Sequence, residues 1–90
     1  MTTMADRITL KLNAAFAPQR LQVIDESHQH HGHGGWREGG ETHFRVNIVS
    51  EAFRGKTRLE RHRLVNAALA DELAERVHAL AIAARAPEEG

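Results

Sequence analysis

The sequence predicts a two-layer α+β domain, in which a three-stranded mixed sheet carries two helices on one of its faces. Three observations indicate this fold class: helical periodicity in residues 4–17 and 58–75, apolar–polar alternation in 20–27 and 43–50, and a short apolar stretch at 77–83. The order is therefore helix, strand, strand, helix, strand. With 90 residues, 41% of them apolar, the chain is interpreted as one small domain, residues 1–90.

The first helix is predicted over residues 4–17. Its apolar side chains recur at helical spacing and share one face: Met4, Ile8, Leu12, Ala15 and Phe16. Thr3-x-x-Asp6 forms an N-terminal capping box that follows a short N-terminal tail, residues 1–3, and Pro18 ends the helical pattern.

Two strands of an antiparallel hairpin follow. In residues 20–27, Leu21 and Val23 face one way and Ile24 faces the other. The alternation is clearest in residues 43–50, where one face is apolar and the other polar: Phe44, Val46 and Ile48 against His43, Arg45 and Asn47.

The second half of the chain is predicted to hold a helix and a third strand. A connector, residues 51–56, leads to the capping box Thr57-x-x-Glu60 and a helix over 58–75. The helix has an apolar stripe that continues through a packed histidine and an arginine: Val65, Leu69, Leu73, His62 and Arg58. The strand over 77–83 precedes a polar C-terminal tail, residues 85–90.

The direction of the third strand decides where His78 lies. A right-handed crossover makes this strand parallel to the second one, and His78 then lies at the same end of the sheet as the hairpin loop. A strand parallel to the first one would place His78 at the far end.

The hairpin loop, residues 28–42, is the most unusual segment of the chain. It holds five of the seven glycines and four of the seven histidines, which are His28, His30, His31 and His33. A loop of this length is typically functional or disordered. Neutral imidazole is a common metal ligand, so the loop is a candidate metal site. The alternative for the loop is a polar segment that takes up nickel or zinc adventitiously. The alternative for His78 is a half-buried strand histidine.

Composition excludes several function classes. The chain has no cysteine, so it forms no disulfide and supplies no thiolate ligand. Twelve basic and twelve acidic residues balance, unlike the basic excess of a dedicated nucleic-acid-binding domain. No apolar run suits a membrane span or a signal peptide, and no nucleophile–base arrangement is present. We therefore expect a cytoplasmic protein that is not an enzyme and does not bind membranes.

One basic segment stands out against this balance. It contains Arg54, Lys56, Arg58, Arg61, His62 and Arg63, with Glu60 as its one acid. Lys56, Arg58, Arg61 and Arg63 are candidates for a surface that binds nucleic acid or a partner protein. The alternative is a solvated helix end. Gly55 is followed by Lys56, Thr57 and Arg58, so the G-x-x-G phosphate loop is absent.

The chain resembles the BolA-like proteins over residues 6–87. The similar stretches are VIDESHQHHGHGG, ETHFRVNIVSEAF, RGKTRLERHRLVNAALADEL and VHALAIAARAP. The most specific part is F-x-G-K-[ST]-x-x-x-R-H-R-x-V, here Phe53 to Val65, followed by V-H-A-L. Because the loop contains no cysteine, the chain is similar to members whose loop supplies histidine as the candidate ligand.

This resemblance implies an α-β-β-α-β domain akin to the type II KH fold. It also implies a partner, a monothiol glutaredoxin, and a bridging [2Fe–2S] cluster for which the partner supplies a cysteine and bound glutathione. The resemblance assigns two ligands to this chain: His78 of V-H-A-L and a loop histidine, His33 first, with His28, His30 and His31 as second choices. We expect a monomer without cofactor when the protein is alone, and a role in iron–sulfur trafficking or iron regulation.

The resemblance implies a second function class as well. Members of the family are described as DNA-binding transcriptional regulators of the stress response. The surface in this chain would be the one around Lys56, Arg58, Arg61 and Arg63. The neutral charge balance and the missing G-x-x-G argue against strong nucleic-acid binding.

Overall fold

The computed structural model describes residues 3–26 and 42–89. The elements follow the predicted order, with one further break in the second helical region. They are α1 (Met4–Phe16), β1 (Arg20–Asp25), β2 (His43–Val49), a 3-10 helix (Glu51–Phe53), α2 (Arg58–Ala68), α3 (Ala70–Glu75) and β3 (Ala79–Arg85). None of the helices in these two ranges has the length and apolar character needed to cross a bilayer.

The sheet confirms the predicted topology. Its strand order is β1-β2-β3, with β1 antiparallel and β3 parallel to β2. The start of β3 therefore lies beside the start of β2, where Ala79 pairs with His43. His78 is consequently at the end of the sheet where β1 stops and β2 begins, as the right-handed crossover requires.

The core lies between this sheet and the helices. Met4, Ile8 and Leu12 of α1 are buried, as the helical spacing predicts. From β2, the predicted apolar face contributes Phe44, Val46 and Ile48 to the same cluster, together with Phe53, Val65, Leu69 and Val77 from the second half of the chain. Ala15 is exposed, so its predicted place on the buried face of α1 is wrong. In the last turn of α1, Ala15 is exposed and Phe16 packs against the core.

The helix predicted over residues 58–75 is two helices. Leu69, with φ −107° and ψ 21°, leaves the helical conformation, and α3 begins at Ala70. The Leu69 N–H still donates to the Val65 carbonyl, so the interruption is short. Leu69 and Glu72 are both buried, as residues three apart on one helix face can be.

The third strand begins two residues later than predicted and runs over Ala79–Arg85. The backbone N–H groups of Arg76 and Val77 both donate to the Glu72 carbonyl, so these residues complete the end of α3. Pairing with β2 is therefore possible only from His78 onward. Arg85, assigned by sequence to a polar tail, is the last residue of β3.

A buried carboxylate ties the two helical regions together. Glu72 of α3 is fully buried; its Oε2 accepts from Arg7 at 2.8 Å and its Oε1 lies 2.9 Å from Lys11 Nζ, both cations being on α1. Burial alone would raise the pKa of Glu72, but the hydrogen bonds from Lys11 and Arg7 outweigh it and hold that pKa below its ordinary value. Glu75 and Asp71 extend the network at its exposed rim.

The connector before α2 is built from local hydrogen bonds. Ser50, itself buried, donates from its hydroxyl to the Phe16 carbonyl at 2.6 Å and caps the 3-10 helix by accepting from the Ala52 N–H. Gly55 has φ 74°, a conformation that glycine adopts without steric cost. The predicted capping box is present: Glu60 N–H donates to Thr57 Oγ1 and Thr57 N–H to Glu60 Oε1. These contacts fix where α2 starts.

Candidate functional site

Three chain segments meet at one end of the sheet. Glu26 N–H, just after β1, donates to the His43 carbonyl at 2.8 Å. On the other side of β2, the His78 N–H donates to the Thr42 carbonyl at 2.7 Å. We call the group Thr42, His43 and His78 the histidine end. Residues 27–41 connect Glu26 to Thr42, so both described ends of that connection lie at the histidine end.

The two histidines of this end have different environments. His78 is exposed, in contrast to the half-buried strand histidine of the alternative interpretation. His43 is only 7% exposed, and its Nδ1 lies 2.8 Å from the hydroxyl of the fully buried Thr42. The two rings stack with centroids 6.3 Å apart and planes inclined by 30°. His78 thus offers an accessible imidazole. Its backbone is held by the hydrogen bond to Thr42, and its ring stacks on the buried ring of His43.

Sequence reasoning missed His43 as part of this site. Alternation correctly assigns it to the face opposite Phe44, which is the polar face of β2. The signal was available in the register, since a strand parallel to β2 that starts after His78 places the two histidines side by side. Their proximity follows from topology and is not visible in local sequence.

The donor chemistry of this end fits one histidine ligand of an iron–sulfur cluster. Imidazole nitrogen replaces thiolate at some [2Fe–2S] centres, and His78 presents such a nitrogen at the surface. Within residues 3–26 and 42–89, no three His, Asp or Glu side chains converge as a complete metal site. The other candidate ligands, His33, His28, His30 and His31, lie outside the described residues.

The basic segment lines a separate feature, an open groove of about 540 Å³ between the start of α2 and β3. We call it the cationic groove. Its lining includes Lys56, Arg58, Arg61, His62, Ile82 and Arg85. Arg63 is exposed and is not among the residues that line the groove.

Acidic side chains distant in sequence offset part of the positive charge. Arg61, 11% exposed, donates from Nη1 to Glu89 Oε1 at 2.6 Å and to the Ala84 carbonyl at 3.0 Å. Hydrogen bonds from Arg61 and the Ala86 N–H lower the pKa of Glu89, which keeps this carboxylate charged. Arg54 is paired with Glu51 and Glu88. Lys56, Arg58 and Arg63 are the exposed cations of the predicted set.

Comparison with known proteins identifies the family. The model of the family described as BolA-like protein matches residues 12–89. This chain belongs to the BolA family.

Individual relatives agree with this assignment. The chain is 50% identical over 88 residues to a protein of Sinorhizobium sp. named "Uncharacterized protein in cobS 5'region", covering 97% of this chain and 95% of that protein. It is 51% identical over 77 residues to the DNA-binding transcriptional regulator BolA of Vibrio cholerae, covering 86% of this chain and 69% of the regulator. It spans 24% of the SufE-like protein 1 of Arabidopsis thaliana, at 47% identity.

A solved structure shows the same fold. The BolA domain of SufE1 from Arabidopsis thaliana superimposes with a TM-score of 0.89 at 44% identity, over 100% of this chain and 99% of that domain. The BolA domain is therefore found as part of a larger protein as well as in chains of about this length.

Proposed function

We propose that this BolA protein is an adaptor that binds a monothiol glutaredoxin and shares a [2Fe–2S] cluster with it through histidines. The observation that carries the proposal is the exposed imidazole of His78, held at the end of the sheet where residues 27–41 leave and rejoin the described structure. One imidazole at this position suits a shared site. The loop histidine, His33 by preference, would be the second ligand from this chain.

The composition supports a shared site. The chain has no cysteine and seven histidines, so it contributes nitrogen and no sulfur. The thiolates would come from the glutaredoxin cysteine and from glutathione. When bound, the cluster would supply iron–sulfur redox chemistry at a potential raised by its histidine ligands.

The residues around His78 prepare it for this role. Its backbone N–H is hydrogen-bonded to the Thr42 carbonyl, which fixes where the side chain leaves the main chain. The buried His43 ring stacks behind it and is itself anchored by Thr42. Since these contacts exist without a partner, binding need not order this side of the site, and less entropy is lost on assembly.

Reconstitution with a monothiol glutaredoxin tests the proposal. The glutaredoxin is loaded with iron and sulfide in the presence of glutathione, and its visible absorption and circular dichroism spectra are recorded with and without this chain. We expect the chain to change both spectra and His78→Ala to remove that change. His62→Ala is the matched control, because His62 is a half-buried histidine away from the histidine end. It should behave as the unaltered chain does.

Two results would contradict the proposal. One is a spectrum that the chain leaves unchanged although size-exclusion chromatography shows that the chain is folded. The other is a changed spectrum that is indifferent to His78→Ala. Parallel alanine variants of His33, His28, His30 and His31 identify the loop ligand as the one whose loss matches that of His78.

DNA binding is the second candidate function, favoured by the name of the Vibrio cholerae relative and by the exposed cations Lys56, Arg58 and Arg63. If all three contact phosphates, the logarithm of the duplex affinity should fall with the logarithm of salt concentration with a slope of about −2.7, at −0.9 per phosphate. The triple alanine variant should abolish this slope. Arg20→Ala, an exposed arginine on β1, is the control that should leave it unchanged.

A further inference from the structure

The outer edge of β3 has backbone groups available for pairing. The Ala79 N–H donates to Thr42 and the Arg85 carbonyl accepts from Ser50, so the odd-numbered residues of β3 direct their hydrogen bonds toward β2. Leu80, Ile82 and Ala84 therefore direct theirs away from it. In the described part of the chain, β3 is an edge strand of the sheet.

This edge forms one wall of the cationic groove. The Arg61 side chain reaches from α2 to the Ala84 carbonyl, at 3.0 Å, and closes the groove at one end. Lys56 and Arg58 stand on the opposite wall and are exposed. A strand edge that faces a row of cations offers backbone hydrogen bonds and positive charge to the same ligand.

The chain's own side chains indicate which anion this groove accepts. Glu89 lines the groove, with its carboxylate on the Arg61 guanidinium and the Ala86 N–H. Lys56 and Arg58 have no such carboxylate within 4.0 Å among the described residues. One position of the groove thus holds a carboxylate, and the exposed cations Lys56 and Arg58 do not.

We propose that the cationic groove binds an extended acidic peptide of a partner protein, which adds as a strand to the free edge of β3. The peptide backbone would pair with Leu80 and Ile82, and its acidic side chains would meet Lys56 and Arg58. This is strand addition at a sheet edge, with charge providing the selectivity. It requires neither the cluster nor glutaredoxin, so it stands apart from the function proposed above.

The groove favours a peptide over a single-stranded nucleic acid. His62 is the aromatic side chain of the described lining, and because it is half-buried it offers little ring surface for bases to stack on. The paired N–H and C=O groups of a strand edge match a peptide backbone and have no counterpart in a sugar–phosphate chain.

A labelled seven-residue peptide is the probe, because the seven residues of β3 extend over about 23 Å. Glutamate and valine alternate in it, and fluorescence anisotropy measures its affinity for the full chain. We expect the Lys56→Ala/Arg58→Ala variant to weaken binding at least tenfold. The charge-matched control, Arg20→Ala/Arg63→Ala, removes two exposed arginines that do not line the groove and should change affinity less than twofold.

Three further measurements decide the binding mode. Amide resonances of Leu80 and Ile82 should shift in ¹⁵N spectra on peptide addition, and a backbone N-methylated peptide should bind at least tenfold more weakly. Glu89→Gln should strengthen binding, because Arg61 is released to the peptide. Equal affinity for a glutamine-for-glutamate peptide, shifts confined to residues outside the groove, or tighter binding of an octathymidylate to the same groove would each overturn the proposal.

Discussion

The histidine end and the cationic groove lie on one small sheet and differ in which of their side chains are exposed. At the histidine end, the His78 side chain is exposed while those of its neighbours His43 and Thr42 are buried. In the groove, the most buried cation, Arg61, is already paired, and the exposed ones lie at the rim. The first region presents a ligand atom at a fixed place, and the second presents charge along a length of strand.

This contrast between one exposed ligand atom and charge spread along a strand indicates how each region selects its partner. A coordinate bond through His78 depends on the identity of a single residue, because the described imidazole beside it, His43, is buried. Binding along a groove distributes the interaction over several charges and backbone groups. The first should respond to one substitution completely, and the second gradually.

The largest expected effect is a complete functional separation of the two regions. His78→Ala should abolish the chain's effect on the glutaredoxin cluster spectrum and leave acidic-peptide affinity within twofold of the unaltered chain. Lys56→Ala/Arg58→Ala should do the reverse. Measuring both variants in both assays checks this. Loss of both activities in either variant would show that the two regions are not independent.

The next largest effect concerns the ion network around Glu72, which lies outside both regions. Glu72→Gln should lower the free energy of unfolding by about 2 kcal/mol at pH 7, because it removes charged hydrogen bonds from a buried acceptor. The lowered pKa of Glu72 gives stability that is present above the unfolded pKa, about 4.3, and is lost as pH falls through the folded value.

Urea unfolding of both proteins between pH 7 and pH 3 checks this prediction. The stability difference between the unaltered chain and Glu72→Gln should shrink as the pH is lowered. A difference that is constant across this range would mean that the carboxylate charge contributes nothing. Neither functional assay should change for the fraction that remains folded.

The smallest expected effect lies at the start of α2. Thr57→Ala removes the side-chain acceptor of the Glu60 N–H and should cost about 1 kcal/mol of stability. Since Lys56 and Arg58 lie on either side of this N-cap residue, fraying there should weaken acidic-peptide binding about twofold. The cluster spectrum should not change. Thr57→Ser, which keeps the hydroxyl, is the control that should restore both stability and peptide affinity.

Much of the fold could be predicted because its signals are local. Both capping boxes, the buried face of α1 and the alternation of β2 follow from residues a few positions apart. The break at Leu69 and the late start of β3 could not be predicted, since tertiary burial of Glu72 and the hydrogen bonds that end α3 decide them. A helical period continues through such a break without a visible change.

The candidate sites divide in the same way. His78 could be placed at the correct end of the sheet from the handedness of the crossover alone. His43 is harder to assign to it, because its proximity to His78 follows from the register of β3 against β2 and not from neighbouring residues. The pairing of Arg61 with Glu89, 28 residues away, offsets a positive charge that a count over the basic segment alone includes. Whether His33 joins His78 stays a prediction, since it lies outside the described residues.

Pulsed EPR on the reduced complex tests the central claim most directly. This chain is produced with ¹⁵N-labelled histidine and combined with unlabelled, cluster-loaded glutaredoxin and glutathione. The account predicts a strong ¹⁵N hyperfine coupling from a histidine nitrogen bound to iron, which His78→Ala removes and His62→Ala retains. A reduced cluster in a confirmed complex of the two proteins without any ¹⁵N coupling would contradict it.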